Sequence, residues 1–131
     1  MRIFTLIAFF MMAFILTFNN GCFLEENLKS EDPYTWNFGE VEEGSILKHT
    51  FMLENKSKNT LIIKNVRTSC GCTGSVVSNS EIPPGEASQI EVTFDTKGYS
   101  GKTEQFVFVY TDDSENPVVK LTVVTQVVKN K

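Results

Sequence analysis

From about residue 34 onward the apolar residues recur at every second position and almost never at every third or fourth. "HTFMLEN" sets Phe51 and Leu53 on one face, "LIIKNV" sets Leu61 and Ile63 together, and "IEVTFDT" aligns Ile90, Val92 and Phe94. "EQFVFVYT" places Phe106, Phe108 and Tyr110 opposite Val107 and Val109, while "VVKLTVVTQVV" carries Val119, Leu121, Val123, Thr125 and Val127. A helix would scatter such residues around its surface, whereas a strand puts them on one side, so the period predicts strands. The residues involved are the β-branched and aromatic types that suit a half-buried pleated surface. Between the runs stand the breaker clusters "EEGS", "ENKSKN", "SNSEIPPGE", "TKGYSGK" and "DDSENP". Short strands at this spacing predict an all-β sandwich in preference to a helical or α/β plan.

Two further expectations follow from the same pattern. The runs "FVFVY" and "TVVTQVV" belong inside a sheet, because apolar strands of low charge left on an edge pair with other chains. Gly39, Gly44, Gly85, Gly98 and Gly101 fall in turns, and Pro83 with Pro84 marks a loop leaving one sheet for the other.

The preceding segment has a different character. "MRIFTLIAFFMMAFILTFNNGC" opens on Arg2, runs without charge from Ile3 to Phe18, and ends in small and polar residues. That order describes a signal peptide over 1–21, and its apolar run is shorter than the roughly 20 residues of a comfortable membrane span. Gly21 before Cys22 resembles the lipobox of bacterial lipoproteins, although Asn19 and Asn20 stand where that box usually has an apolar and then a small residue. The resemblance implies lipidation at Cys22. Residues 22–33, rich in charge and including Glu25 and Glu26, read as a tether to a sandwich domain spanning 34–131.

Charge narrows the partners. Without Arg2 the basic count falls from 12 to 11 against 16 acidic side chains, a net charge of −5. The Lys and Arg residues are scattered singly through acidic sequence, so nucleic acid is not an expected partner. No GxSxG, HExxH or glycine loop opening a helix is present, and the acidic doublets read as solvated loop charge, so no enzymatic activity is expected. Tyr34 and Trp36 read as aromatics just before the first strand that cap one end of the core. The sole histidine, His49, reads as a packed or solvated strand residue.

One motif invites chemistry. "TSCGCTG" holds Cys70 and Cys72 one glycine apart, after a strand. In an extended strand their Cα atoms would lie about 6.6 Å apart, near the upper limit for a disulfide, so closure needs a bend that Gly71 can supply. A disulfide, a soft-metal site and a thiol-exchange pair all remain open. Copper(I) suits thiolates better than zinc suits so few ligands, yet Met52 is the only methionine after the first segment. No thioredoxin-like βαβ pattern surrounds the pair. The stretch after Cys72, "TGSVVSNSE", reads as a polar loop.

The order "FGEVEEGS", "FMLENKS", "LIIKNVRTSCGCT" and "IPPGEASQIEVTFDTKGYSGK" resembles the bacterial domain-of-unknown-function family 1573, over about residues 36–128. Its most specific part here is Asn55, Leu61 to Val66, and Ser69 through Thr73. The resemblance implies a secreted immunoglobulin-like sandwich of seven or eight strands, related to hydin-type modules and often carried on lipoproteins, and it implies no activity. The expected function is a non-enzymatic envelope lipoprotein, held to a membrane by lipid, that binds an envelope protein partner or builds assemblies. It needs no cofactor. The rival is a copper(I)-binding or thiol-redox accessory factor using Cys70 and Cys72.

Overall fold

The computed structural model describes residues 32–130. The expected signal peptide over 1–21, Cys22 with its expected lipidation, and the part of the expected tether before Asp32 lie outside them. Eight strands follow in chain order: β1 (Thr35–Glu42), β2 (Ile46–Glu54), β3 (Leu61–Thr68), β4 (Thr73–Val77), β5 (Glu81–Ile82), β6 (Ala87–Asp95), β7 (Gly101–Thr111) and β8 (Val118–Val128). They form a five-stranded sheet ordered β1-β8-β7-β3-β5 and a three-stranded sheet ordered β2-β6-β4. All pairings are antiparallel except β1 with β8, which is parallel. Among the described residues no helix is long and apolar enough to cross a membrane.

The alternation in the sequence becomes the two inner faces. Phe51, Leu53, Ile90, Val92 and Phe94 from one sheet meet Ile63, Val107, Val109, Leu121 and Val123 from the other, all buried. β7 and β8, the longest apolar runs, lie inside the larger sheet and expose no edge. After Pro83 and Pro84 the chain does pass from the larger sheet (β5) to the smaller (β6).

Two inward polar residues fix irregular backbone. Thr125 donates to the carbonyl of Gly39 (2.9 Å), where a bulge interrupts the register of β1 against β8. Gly39 has φ +74°, a conformation that costs glycine little. Buried Thr96 donates to the carbonyls of Ser45 (2.9 Å) and Glu42 (3.2 Å), holding the β1–β2 turn.

The structure corrects two readings of the sequence. "TGSVV" is a strand, not a loop. It is polar and short, but Thr73 is buried and the segment completes a ladder against β6 from Thr73↔Phe94 to Val77↔Ile90. Trp36 lies within β1, not before it, and covers the flank of the sandwich instead of its end. It shares a register position with the buried Val123, so it points into the gap between the sheets. There its ring stacks on His49 of β2 at 4.0 Å and 10°. Tyr34 alone sits at the end.

His49 is therefore a packed residue, with Phe51 edge-on at 4.7 Å. Burial pushes its pKa below the ordinary value, which means the folded chain takes up a proton less readily than the unfolded chain. Stability should be full above about pH 6.5, the unfolded value, and decline as the pH falls from there toward the lower folded value. With one histidine in the sequence, that window is its own. Urea denaturation between pH 8 and 5.5 should show the decline in the native chain and lose it in His49→Gln; a flat profile in the native chain would contradict the burial argument.

Candidate functional site

Cys70 and Cys72 form a disulfide at the corner where the chain leaves β3 for β4 and so passes between the two sheets. Local backbone explains how neighbours-but-one can meet. Thr73 N–H donates to the Cys70 carbonyl (3.3 Å), and Thr68 Oγ1 donates to the same oxygen (3.1 Å), giving a turn that draws the two Cα atoms to 5.3 Å. Gly71 is exposed and its φ is not positive, so the bend does not use the left-handed freedom expected of it. An ordinary turn suffices, because turn torsions shorten the Cα spacing below that of a strand.

The corner is tied on both sides. Ser69 exchanges backbone contact with β7, its N–H donating to Phe106 O (2.9 Å) and its Oγ accepting from Phe106 N–H (3.0 Å) while donating to buried Gln105 Oε1 (2.7 Å). On the other sheet, Asp95 N–H donates to the Cys72 carbonyl (3.0 Å). Over the pair stands Tyr99, from the turn between β6 and β7. Its hydroxyl is 3.0 Å from Cys72 Sγ and 3.7 Å from Cys70 Sγ. Its ring is held edge-on by Phe94 at 5.2 Å. Thr73 Oγ1 is farther, at 3.5 Å from Cys70 Sγ and 3.9 Å from Cys72 Sγ. Closed as a disulfide, the pair presents no thiolate to a soft metal, and among the described residues no three His, Cys, Asp or Glu gather as ligands. Nothing in the sequence pairs Tyr99 with the cysteines, since it lies in a breaker cluster far along the chain.

A second feature lies along β2. Thr96 N–H donates to Ser45 O and Asn55 N–H to Glu86 O, which fixes the phase of the β2–β6 ladder. In an antiparallel ladder alternate residues bond to the partner, so Leu47, His49, Phe51 and Leu53 face β6. The N–H and C=O groups of Ile46, Lys48, Thr50, Met52 and Glu54 therefore point to the open side. Ile46 and Met52 also leave large apolar side chains exposed, and Trp36 borders the same flank. The other long edge, β1, is interrupted by its bulge.

A groove of about 540 Å³ opens at the end of the sandwich opposite the disulfide, lined among others by Tyr34, Asn55, Leu61, Asn116 and Lys120. Neither cysteine borders it. The described chain begins at that end, with Tyr34 O accepting from Thr122 N–H (2.8 Å).

A family model described as "Protein of unknown function (DUF1573)" matches residues 30–127. No curated protein matches significantly. Among solved structures, the chain is similar to a protein of unknown function from Porphyromonas gingivalis W83, with TM-score 0.63 and 17% identity over 71% of this chain and 44% of that one. The VesB protease of Vibrio cholerae gives TM-score 0.57 and 15% identity, over 71% and 29% of the two chains. The ASH/PapD-like domain 7 of human CEP192 gives TM-score 0.56 and 13% identity, over 78% and 92%. This chain thus spans less than half of the Porphyromonas protein and less than a third of the protease. At these identities the likeness is one of fold, an immunoglobulin-like sandwich of the PapD-like kind.

Proposed function

The chain belongs to the DUF1573 family of proteins of unknown function, and on that premise we propose that it is a non-enzymatic module, tethered by lipid at Cys22 to a membrane of the bacterial envelope, that captures an envelope protein by strand addition. The observation that carries the reading is the open edge of β2, where five consecutive outward positions leave backbone donors and acceptors unpaired beside the exposed apolar groups of Ile46, Met52 and Trp36. Strand addition uses such an edge for affinity and flanking side chains for choice of partner. Attachment through Cys22 is compatible with this, because Asp32 enters the sandwich at the groove end and leaves the β2 edge lateral to the attachment point.

Thr50→Pro separates binding from folding. The Thr50 N–H faces the open side, so proline there blocks an added strand while sparing the bonds to β6. Pull-downs from detergent-solubilised envelopes should retain a specific protein with the native chain, lose it at least roughly tenfold with Thr50→Pro, and be indifferent to nuclease. In the same cells Cys22→Ser should move the chain from the membrane to the soluble fraction, and mass spectrometry of the native chain should find diacylglycerol on Cys22. Equal capture by Thr50→Pro, or loss on nuclease treatment, would sink the binding claim; an unmodified Cys22 would sink the tether.

The second reading, a copper(I)-binding or thiol-redox accessory role for Cys70 and Cys72, has one observation in its favour, the Tyr99 hydroxyl against the disulfide. That contact supports thiol exchange over copper, since copper(I) binding first requires reduction of the pair.

A further inference from the structure

We propose that the Cys70–Cys72 disulfide exchanges with an external thiolate in one orientation: the incoming sulfur bonds to Cys70 Sγ, and Cys72 Sγ departs as the thiolate held by Tyr99. The proposal rests on the thiol-redox reading and is independent of strand addition.

Thiol–disulfide exchange is an in-line displacement in which the attacked sulfur is chosen partly by how well the other can leave with the electron pair. The two sulfurs of this pair do not have equal surroundings. The Tyr99 hydroxyl stands 3.0 Å from Cys72 Sγ and 3.7 Å from Cys70 Sγ, so a charge developing on Cys72 meets a hydrogen-bond donor already in place. Thr73 Oγ1 favours Cys70 but at 3.5 Å, and a phenol is a stronger donor than an aliphatic hydroxyl. Tyr99 is also fixed before any reaction. Its N–H donates to Thr96 O (3.0 Å), its ring leans on buried Phe94, and the preceding Gly98 takes φ +83° with its N–H donating to Glu43 Oε1 (3.1 Å). A prepositioned donor stabilises the departing thiolate without having to reorganise.

The corner can be reached from solvent, since Gly71 is exposed and both cysteines are only partly buried. The first step joins RS⁻ to Cys70 Sγ, breaks the Cys70–Cys72 bond and places the electron pair on Cys72 Sγ. A second RS⁻ attacking the external sulfur of that mixed disulfide yields RS–SR and a second thiolate, on Cys70. Two external thiolates are oxidised and one disulfide is reduced. Because Cys72 is so near in the chain, it can also return and expel RS⁻, so the mixed disulfide must be caught early.

The test treats the oxidised, detergent-purified full chain with glutathione, blocks released thiols within seconds with a large excess of N-ethylmaleimide at neutral pH, and locates both adducts by peptide mass spectrometry. Cys22 lies on a separate peptide. Glutathione should be found on Cys70 with maleimide on Cys72, in roughly tenfold excess over the reverse, which corresponds to about 1.4 kcal/mol between the two routes. Tyr99→Phe keeps the ring against Phe94 and removes only the donor; exchange should slow by about the same factor and the excess should vanish. A cysteine-containing peptide at equal concentration distinguishes the source of thiol, reacting faster than glutathione if the natural reductant is a protein and equally if it is a small molecule. Adducts shared equally between the cysteines, glutathione on Cys72, no exchange, or a Tyr99→Phe chain that reacts like the native one would each overturn the proposal. Thr50→Pro should exchange normally, so failure of strand addition and failure of exchange are separable.

Discussion

Replacing Phe94 with alanine should lower stability by about 3–5 kcal/mol, the usual cost of emptying a buried aromatic site. Phe94 is 1% exposed and pairs across β6 with both Leu47 and Thr73, so the sheets around it cannot collapse far without breaking ladders on either side. Against the 5–15 kcal/mol that holds an ordinary domain together, this leaves the chain close to unfolding. The same substitution removes the support of the Tyr99 ring. Guanidinium denaturation measures the loss, and Phe51→Ala supplies the comparison, since Phe51 is as deeply buried but makes its aromatic contact with His49. Both variants should lose similar stability, and only Phe94→Ala should also slow thiol exchange. A loss below about 1 kcal/mol at Phe94 would mean the site repacks.

Asn55→Ala should cost about 2–4 kcal/mol, because buried groups left without partners lose their full desolvation. Asn55 is 2% exposed and acts as a hub at the groove end. Its Nδ2 donates to Asn59 O and Ile82 O, each at 2.7 Å, while its Oδ1 accepts from Ser57 N–H (3.0 Å) and Ser57 Oγ (2.7 Å). One side chain thus ties the β2–β3 turn to the short strand β5. Asn55→Asp distinguishes hydrogen bonding from packing. It keeps the volume but turns an acceptor toward two carbonyls, so it should be at least as damaging as alanine in thermal denaturation. If aspartate is tolerated and alanine is not, packing matters more than the network.

The faces of the strands were legible in the sequence, and their partners were not. Period two says that Ile90, Val92 and Phe94 share a side, but it carries no information on which strand lies beside them. That depends on pairing at long range, such as β1 with β8. β4 reads as loop in the sequence because "TGSVV" offers only Thr73, Ser75 and Val77 to the inside, too polar a set to signal a strand without the β6 ladder beside it. β5, two residues long, is hidden in a breaker cluster for the same reason. The cysteine pair announced itself, whereas its surroundings did not. Tyr99 reaches it only because β6 ends level with the β3–β4 corner, and a spacing rule confined to neighbouring residues cannot express that.

The pairing of Thr35 with Thr122 and of Val41 with Val127 joins the first strand to the last. On a ribosome, or in a channel that passes the chain amino-terminus first, β1 emerges long before the partner that completes its sheet. Local hairpins such as β7–β8 can form as soon as they appear, but the closing edge must wait for nearly the whole domain. Topologies ruled by such distant contacts fold on millisecond-to-second scales, not microseconds. The chain therefore has a built-in interval of vulnerability during synthesis or export, in which β1 and its bulge are unprotected from proteases and from chance pairing. Truncation within Val118–Val128 would make that interval permanent.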